Sequence, residues 1–327
     1  STFSARPVEP LLWGLGFLVL CIVVVVRGVS QGIEKVSKVL MPLLFLLLAG
    51  LVVYSVTRPG AGEGLRFLFG IDPARLSGDT LVGALGQAFF SLSVGMGIMV
   101  TYGSYVPKSE NLAKSAGWIC ALDTLVAVMA ALAIVPVVMI TQGEEGLGMG
   151  GGFAFISLPA MFAELPGGRF FGMAFFALLF LAALTSAISI LESLVAFLTE
   201  EFHLSRARAA IGLSVPMALL SAGYSLSQSA GRGINLPWFD FKNGMQMLPM
   251  NAVMEKFTDN LMIPLGALCF CLFVGWVWGT KAAGQEIAGE HGLRRMQKPW
   301  AFAVRFLAPL VIVVILYFTL GMGEGLS

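Results

Sequence analysis

Eight stretches of this chain stay apolar for close to twenty residues or more, and a water-soluble fold has no place to bury so many. They run near 11–29, 36–57, 80–106, 112–140, 169–198, 206–224, 258–279 and 301–322. About 20 mostly apolar residues are what a helix needs to cross a bilayer. The rest of the composition agrees. The chain is 57% hydrophobic and 12% charged, with a mean hydropathy of +0.86, whereas soluble domains carry about 25% charged residues. The expected fold is an all-α membrane protein of about eight transmembrane helices, multi-pass, with the lipid bilayer as its solvent. A net charge of +1 gives no electrostatic basis for nucleic-acid binding.

The connecting segments set the topology. Alternate loops divide the basic residues eleven against eight, with Arg305 left inside the last span. The richer set lies in the shorter loops and is placed in the cytoplasm, so both chain ends fall outside. The first apolar run, Leu11 to Val26, lacks a basic leader and a small-residue cleavage site, and reads as a span rather than a signal peptide. Cys21, Cys120, Cys269 and Cys271 sit in apolar runs without zinc-type spacing and are expected to be free, buried thiols. The segment Ile156 to Ala163, after the glycine-rich Gly143 to Gly152, is too short to span and is expected as a re-entrant or surface helix. Gln228 to Asn251 contains no span and is expected as an extended outer loop.

The third span carries chemistry a plain helix does not need. In Gly86-Gln-Ala-Phe-Phe-Ser-Leu-Ser-Val-Gly-Met-Gly-Ile98, Gly95 and Gly97 flank Met96, close to Ser91 and Ser93. Each glycine costs about 1 kcal/mol against alanine within a helix. An unwound point is expected here, and at membrane depth that survives only where the backbone lines a cavity. Freed carbonyls and hydroxyls suit a hard cation. A small-residue packing face is the competing reading. In span five, Ala182, Thr185 and Ser186 share one helix face at i, i+3 and i+4 and offer three oxygens to one point. Hydroxyls bonded back to their own helix are the alternative there. Asp123 stands among apolar residues of span four, where a bare carboxylate costs at least about 2.5–3.5 kcal/mol. Glu192 in span five lies nearer the cytoplasmic end, at a functional position or simply in a wet vestibule.

These stretches, with Arg27-Gly-Val-Ser-Gln-Gly-Ile-Glu-Lys35, Met41-Pro42, Phe155-Ile-Ser-Leu-Pro159 and Leu184-Thr-Ser186, resemble the neurotransmitter:sodium symporters from about Glu9 to Leu320. The resemblance implies a ten-helix core of two inverted repeats with broken helices at mid-membrane. Residues 1–57 would hold the last two helices of the first repeat, 80–279 the second repeat, and 280–327 a cytoplasmic loop and terminal helix, all in one transmembrane domain 1–327. The family's first three helices would lie outside this sequence, and with them half of each binding site.

The same resemblance implies site residues. Phe90, Ser91, Ser93, Met96, Ser186 and Ile190 would line the substrate pocket. Ser91 and Asp123 would serve one sodium site, and Ala182, Thr185 and Ser186 a second. Asp123 stands where many members have asparagine, and Ala127 where chloride-dependent members have a serine; Asp123 with Gln87 would then replace the anion site. Gly32 and Pro42 match a glycine-nine-proline pattern that gates water access, and Gly95 and Gly97 would flex the break. The implied function is sodium-coupled symport of a hydrophobic or aromatic amino acid in the plasma (inner) membrane. Chloride independence and no organic cofactor go with it; no oligomeric state is implied. The alternatives are a truncated non-transporting relative, or an intramembrane enzyme using Asp123.

Overall fold

The structure is a computed structural model that describes residues 8–70, 77–148, 155, 158–164, 166–227, 234–240, 244–288 and 297–320. Its helices are α1 (Val8–Val26), α2 (Lys35–Val56), α3 (Ala61–Phe69), α4 (Gly78–Ser91), α5 (Ile98–Tyr105), α6 (Leu112–Thr141), α7 (Leu158–Glu164), α8 (Gly168–Glu201) and α9 (Arg206–Ser227). A hairpin of β1 (Asn235–Asp240) and β2 (Gly244–Pro249) follows. The chain then runs through α10 (Met250–Glu255), α11 (Ile263–Leu272), α12 (Thr280–Ala288), α13 (Gln297–Phe302) and α14 (Ala308–Thr319). Widened π-turns at Lys256–Met262, Phe273–Gly279 and Ala303–Leu307 join these last helices into two long rods, and another at Val29–Glu34 precedes α2.

Among the described residues, seven helical segments are long and apolar enough to span: Val8–Val26, Val29–Val56, Leu112–Thr141, Gly168–Glu201, Arg206–Leu226, Met250–Ile287 and Gln297–Thr319. Only 11–28% of each apolar window is buried within the protein, and residues such as Leu46 and Val277 stand at least 70% exposed. That is the surface lipid is expected to cover. The eighth expected span is divided between α4 and α5. The protein is an integral, multi-pass membrane protein.

The chain forms two compact units. One comprises Ser1–Val26, Ser77–Ile119 and Ser189–Ser327; the other comprises Arg27–Leu76 and Cys120–Ile188. In the second unit, Leu48, Leu51 and Tyr54 of α2 pack with Ala133, Val137 and Val138 of α6, Leu158 and Phe162 of α7, and Phe175 of α8. Tyr54 stacks on Phe171 with ring centres 3.5 Å apart and donates its hydroxyl to the Pro166 carbonyl at 3.2 Å. Gly64 of α3 lies so close to the Pro136 turn of α6 that a Cβ would sit 2.6 Å from Pro136 Cα. The short α7 is thus built into this core through Leu158 and Phe162, which argues against a helix lying on the surface. In the first unit, α1 runs against α9, and α11 against α14 through Ile263, Ala267, Ile312 and Ile315.

Two expectations change. Within 228–251, expected as an extended outer loop, residues 235–240 and 244–249 form an antiparallel hairpin, with Pro237 opposite Met247 and Phe239 opposite Met245; 228–233 and 241–243 lie outside the described residues. Its two six-residue strands are too short for a span-length reading, but their burial alternates at period two. The Met250 amide donates to the Ile234 carbonyl at 2.8 Å and ties the hairpin to α10. The four thiols are free, but only Cys21 is buried; Cys120 and Cys269 are exposed on spanning helices, where lipid rather than protein is the apolar neighbour.

Candidate functional site

In the first unit, α4 is opened by a capping box: the Thr80 amide donates to Ser77 Oγ at 3.2 Å and the Ser77 amide to Thr80 Oγ1 at 3.3 Å. It ends at Ser91, and α5 begins only at Ile98. Between them the i→i−4 ladder gives way to turn bonds, with Ser93 N to Phe90 O at 3.0 Å and Val94 N to Phe89 O at 3.2 Å. Three residues in five adopt positive φ: Ser93 at 54°, Gly95 at 95° and Gly97 at 77°. The two glycines accept this without a Cβ penalty; Ser93 does so under strain, a condition that clusters at functional sites.

The break is clamped against α11. A Cβ on Gly95 would strike the Ile263 carbonyl oxygen and lie 2.8 Å from the Ala267 amide nitrogen, while a Cβ on Gly266 would strike the Gly95 carbonyl oxygen. Backbone meets backbone with no side chain between. Gly95 is therefore needed twice, for its conformation and for this approach.

Two half-helices meeting in this way present opposite partial charges. The carboxyl end of α4 is partially negative and suits a cation; the amino end of α5 is partially positive and suits a carboxylate. Ser91, Ser93 and Met96 are half-buried at the junction. Phe90 is 50% exposed. Phe90 and Gln87 line a cavity of about 330 Å³ together with Asp259, Asn260, Ile263 and Thr319. Asn260 and Thr319 fix its wall reciprocally: Asn260 Nδ2 donates to the Thr319 carbonyl and Thr319 Oγ1 to the Asn260 carbonyl, both at 3.3 Å. Sequence reading missed Asp259 and Asn260. The signal was two polar residues at the mouth of an apolar run.

At the far end of α5 lies a closed polar cluster in the same unit. Glu192 of α8 is fully buried. Tyr105 donates its hydroxyl to Glu192 Oε1 at 2.7 Å, Arg206 forms an ion pair with Glu192 Oε2, and Arg206 Nε and Nη2 also reach the Val25 carbonyl at 3.3 and 3.0 Å. One turn away Tyr102 donates to Ser189 Oγ at 2.8 Å. Glu192 does not sit in a wet vestibule. A buried carboxylate is retained because each oxygen has a donor, and Arg206, which reads as an ordinary loop charge, serves one of the two.

In the second unit, Asp123 is half-buried on α6. On α8, Ala182 and Thr185 are half-buried and Ser186 is exposed. Thr185 Oγ1 donates to the carbonyls of Ala182 at 2.9 Å and Leu181 at 3.2 Å, the back-bonded arrangement expected as one alternative. Ile190 lies one turn beyond Ser186 on α8, 43% exposed. Gly32 sits buried in the π-turn Val29–Glu34, where the amides of Gly32 and Ile33 both reach the Gly28 carbonyl at 3.1 Å. Pro42 lies within a continuous α2.

The sodium:neurotransmitter symporter family model matches residues 9–324. An uncharacterized sodium-dependent transporter of Bacillus subtilis, YhdH, is 33% identical over 98% of this chain and 69% of its own length. Another from Haemophilus influenzae is 32% identical over 94% of this chain and 65% of its own. The crystal structure of MhsT in complex with L-phenylalanine superposes with a TM-score of 0.82 at 37% identity, covering 98% of this chain and 70% of that one. The chain spans about two thirds of the length of these relatives.

Proposed function

Because the chain belongs to the sodium:neurotransmitter symporter family, whose members are transporters and not enzymes, we propose that it takes part in sodium-coupled symport of a hydrophobic or aromatic amino acid by alternating access. The plasma membrane is its proposed location and sodium the co-transported ion. The observation that carries the reading is the break at Leu92–Gly97, where half-helices of opposite polarity meet beside two serines.

By the family resemblance Ser91 and Asp123 are each sodium ligands, as are the Ala182 carbonyl and the Thr185 and Ser186 hydroxyls. Ser93, Met96, Phe90 and Ile190 in the first unit, and Ser186 in the second, are the substrate contacts, and Gly32, Pro42, Gly95 and Gly97 flex as states interchange. The apolar character of Phe90, Met96 and Ile190 favours an apolar side chain on the substrate, in keeping with the phenylalanine bound by MhsT. Asp123 supplies a fixed negative charge that makes chloride unnecessary, with Gln87 the other residue at the anion-site equivalent by the family resemblance. A cation about 4 Å away stabilises an ionised carboxylate by several kcal/mol at intermediate dielectric. Movement follows from different ligand affinities of the outward and inward states.

The test is uptake of labelled L-phenylalanine into proteoliposomes. Uptake is expected to require inward sodium and to be unchanged when gluconate replaces chloride. Chloride-dependent uptake by the wild-type protein defeats the role of Asp123, and uptake that ignores sodium defeats the symport reading. No uptake or binding at all assigns the chain to a non-transporting relative.

A further inference from the structure

Arg305 is a guanidinium inside the last spanning segment that the transport site does not use. It sits half-buried on the π-turn Ala303–Leu307. Its Nε donates to the Gly275 carbonyl at 2.8 Å, on the facing π-turn Phe273–Gly279. A π-turn disturbs the i→i−4 ladder and leaves a carbonyl for an outside donor. Gly275 admits the approach because it has no side chain: a Cβ there would lie 3.2 Å from Arg305 Cγ.

That bond uses one N–H of five. Among the described residues the two Nη atoms have no hydrogen-bond or ion-pair partner. What surrounds them is aromatic. The guanidinium carbon lies 5.8 Å from the centre of the Trp276 ring, Trp276 meets Phe306 edge to face at 5.7 Å, and Phe306 packs on Phe302 at 5.6 Å. Trp276, Phe302 and Phe306 are 60%, 62% and 50% exposed. On a spanning helix that exposure is to lipid.

Depth identifies the ligand. The last apolar run opens near residue 301 and the preceding one closes near Gly279, so Arg305 and Gly275 each lie four residues inside, about 6 Å at the helical rise. An arginine there reaches the headgroup level, the level at which tryptophan belts sit. We propose that Arg305, held by Gly275 and flanked by Trp276, binds the phosphate of an anionic phospholipid. The Nη pair grips two phosphate oxygens in the bidentate manner of guanidinium, and the acyl chains run over Trp276, Phe302 and Phe306.

The experiment is native mass spectrometry of the purified protein, with thermal unfolding in detergent titrated separately with phosphatidylglycerol, phosphatidylcholine and inorganic phosphate. The wild type is expected to retain phosphatidylglycerol and to melt later with it, and to respond to neither of the others. Arg305→Gln is expected to retain at least about tenfold less, and Arg305→Lys an intermediate amount, since lysine offers a point charge without the fork. Equal retention by Arg305→Gln overturns the site, and a shift by inorganic phosphate matching that of phosphatidylglycerol overturns the lipid assignment. Should Arg305→Gln fail to fold, Trp276→Ala, which leaves the Gly275 bond in place, must lose retention; undiminished retention overturns the proposal equally.

Discussion

The two ends of α5 handle the same difficulty, polar groups at membrane depth, in opposite ways. At Tyr105 the polar groups are side chains, and they close on one another: Glu192 is fully buried with Tyr105 and Arg206 on its two oxygens, and Arg206 also reaches the Val25 carbonyl. At Gly97 the polar groups are backbone, released by positive φ at Ser93, Gly95 and Gly97, and the residues there remain half-buried. A closed set stabilises a conformation and has nothing left for a ligand. Backbone carbonyls and amides released from the helix ladder cost stability unless something binds there. Burial of charge is therefore a poor guide to an open site in this protein, and a broken helix a better one.

The contrast is sharpest in the response to substitution. Glu192→Ala leaves Arg206 without its carboxylate and is expected to cost about 3 kcal/mol or more, read as a loss of folded protein and a lowered melting temperature; Glu192→Gln, which keeps a hydrogen-bond acceptor for Tyr105, is expected to lose less. A neutral response to Glu192→Ala breaks the picture of a closed cluster. Gly266→Ala forces the Gly95 carbonyl away from α11 and is expected to cost about 1–3 kcal/mol as an overpacked contact. Its distinguishing readout is the sodium concentration for half-maximal phenylalanine binding, which is expected to rise about tenfold, while Gly64→Ala, an equally tight backbone contact against Pro136 in the other unit, lowers the melting temperature without moving it. Identical sodium curves for both variants remove any special role for the clamp.

Thr185→Val keeps shape and removes one hydroxyl that donates to the carbonyls of Ala182 and Leu181. About 1 kcal/mol of stability is at stake, so a large loss of sodium response with little change in melting assigns the hydroxyl to the open kind of site. The smallest effect is expected at the hairpin, where Lys256 lies 3.9 Å from Asp240 with its side chain 40% exposed. Lys256→Ala is expected to change stability by less than about 1 kcal/mol, measured by the same thermal unfolding.

Much of this architecture is legible in the residues because its causes are local. Apolar run length decides membrane insertion, and seven of the eight expected spans are continuous enough to cross. The eighth is interrupted where Gly95 and Gly97 bracket Met96, since two glycines weaken a helix wherever they stand. The hairpin was equally local, but its short alternating strands are lost to any reading tuned to twenty-residue runs. Glu192 was harder: its sequence neighbourhood shows an acidic residue near a helix end, and nothing in it names Arg206 or Tyr105 as partners.

The sequence by itself determined which segments enter the bilayer and where one of them breaks, because hydropathy and helix propensity act within a few turns of chain. Only the tertiary structure decided which polar groups meet. The partners of Glu192 come from α5 and α9, with α1 holding Arg206 through Val25, and the break rests on Ile263, Gly266 and Ala267, some 170 residues further along. Such pairings depend on which helix faces meet, and no periodicity within one helix encodes its neighbour.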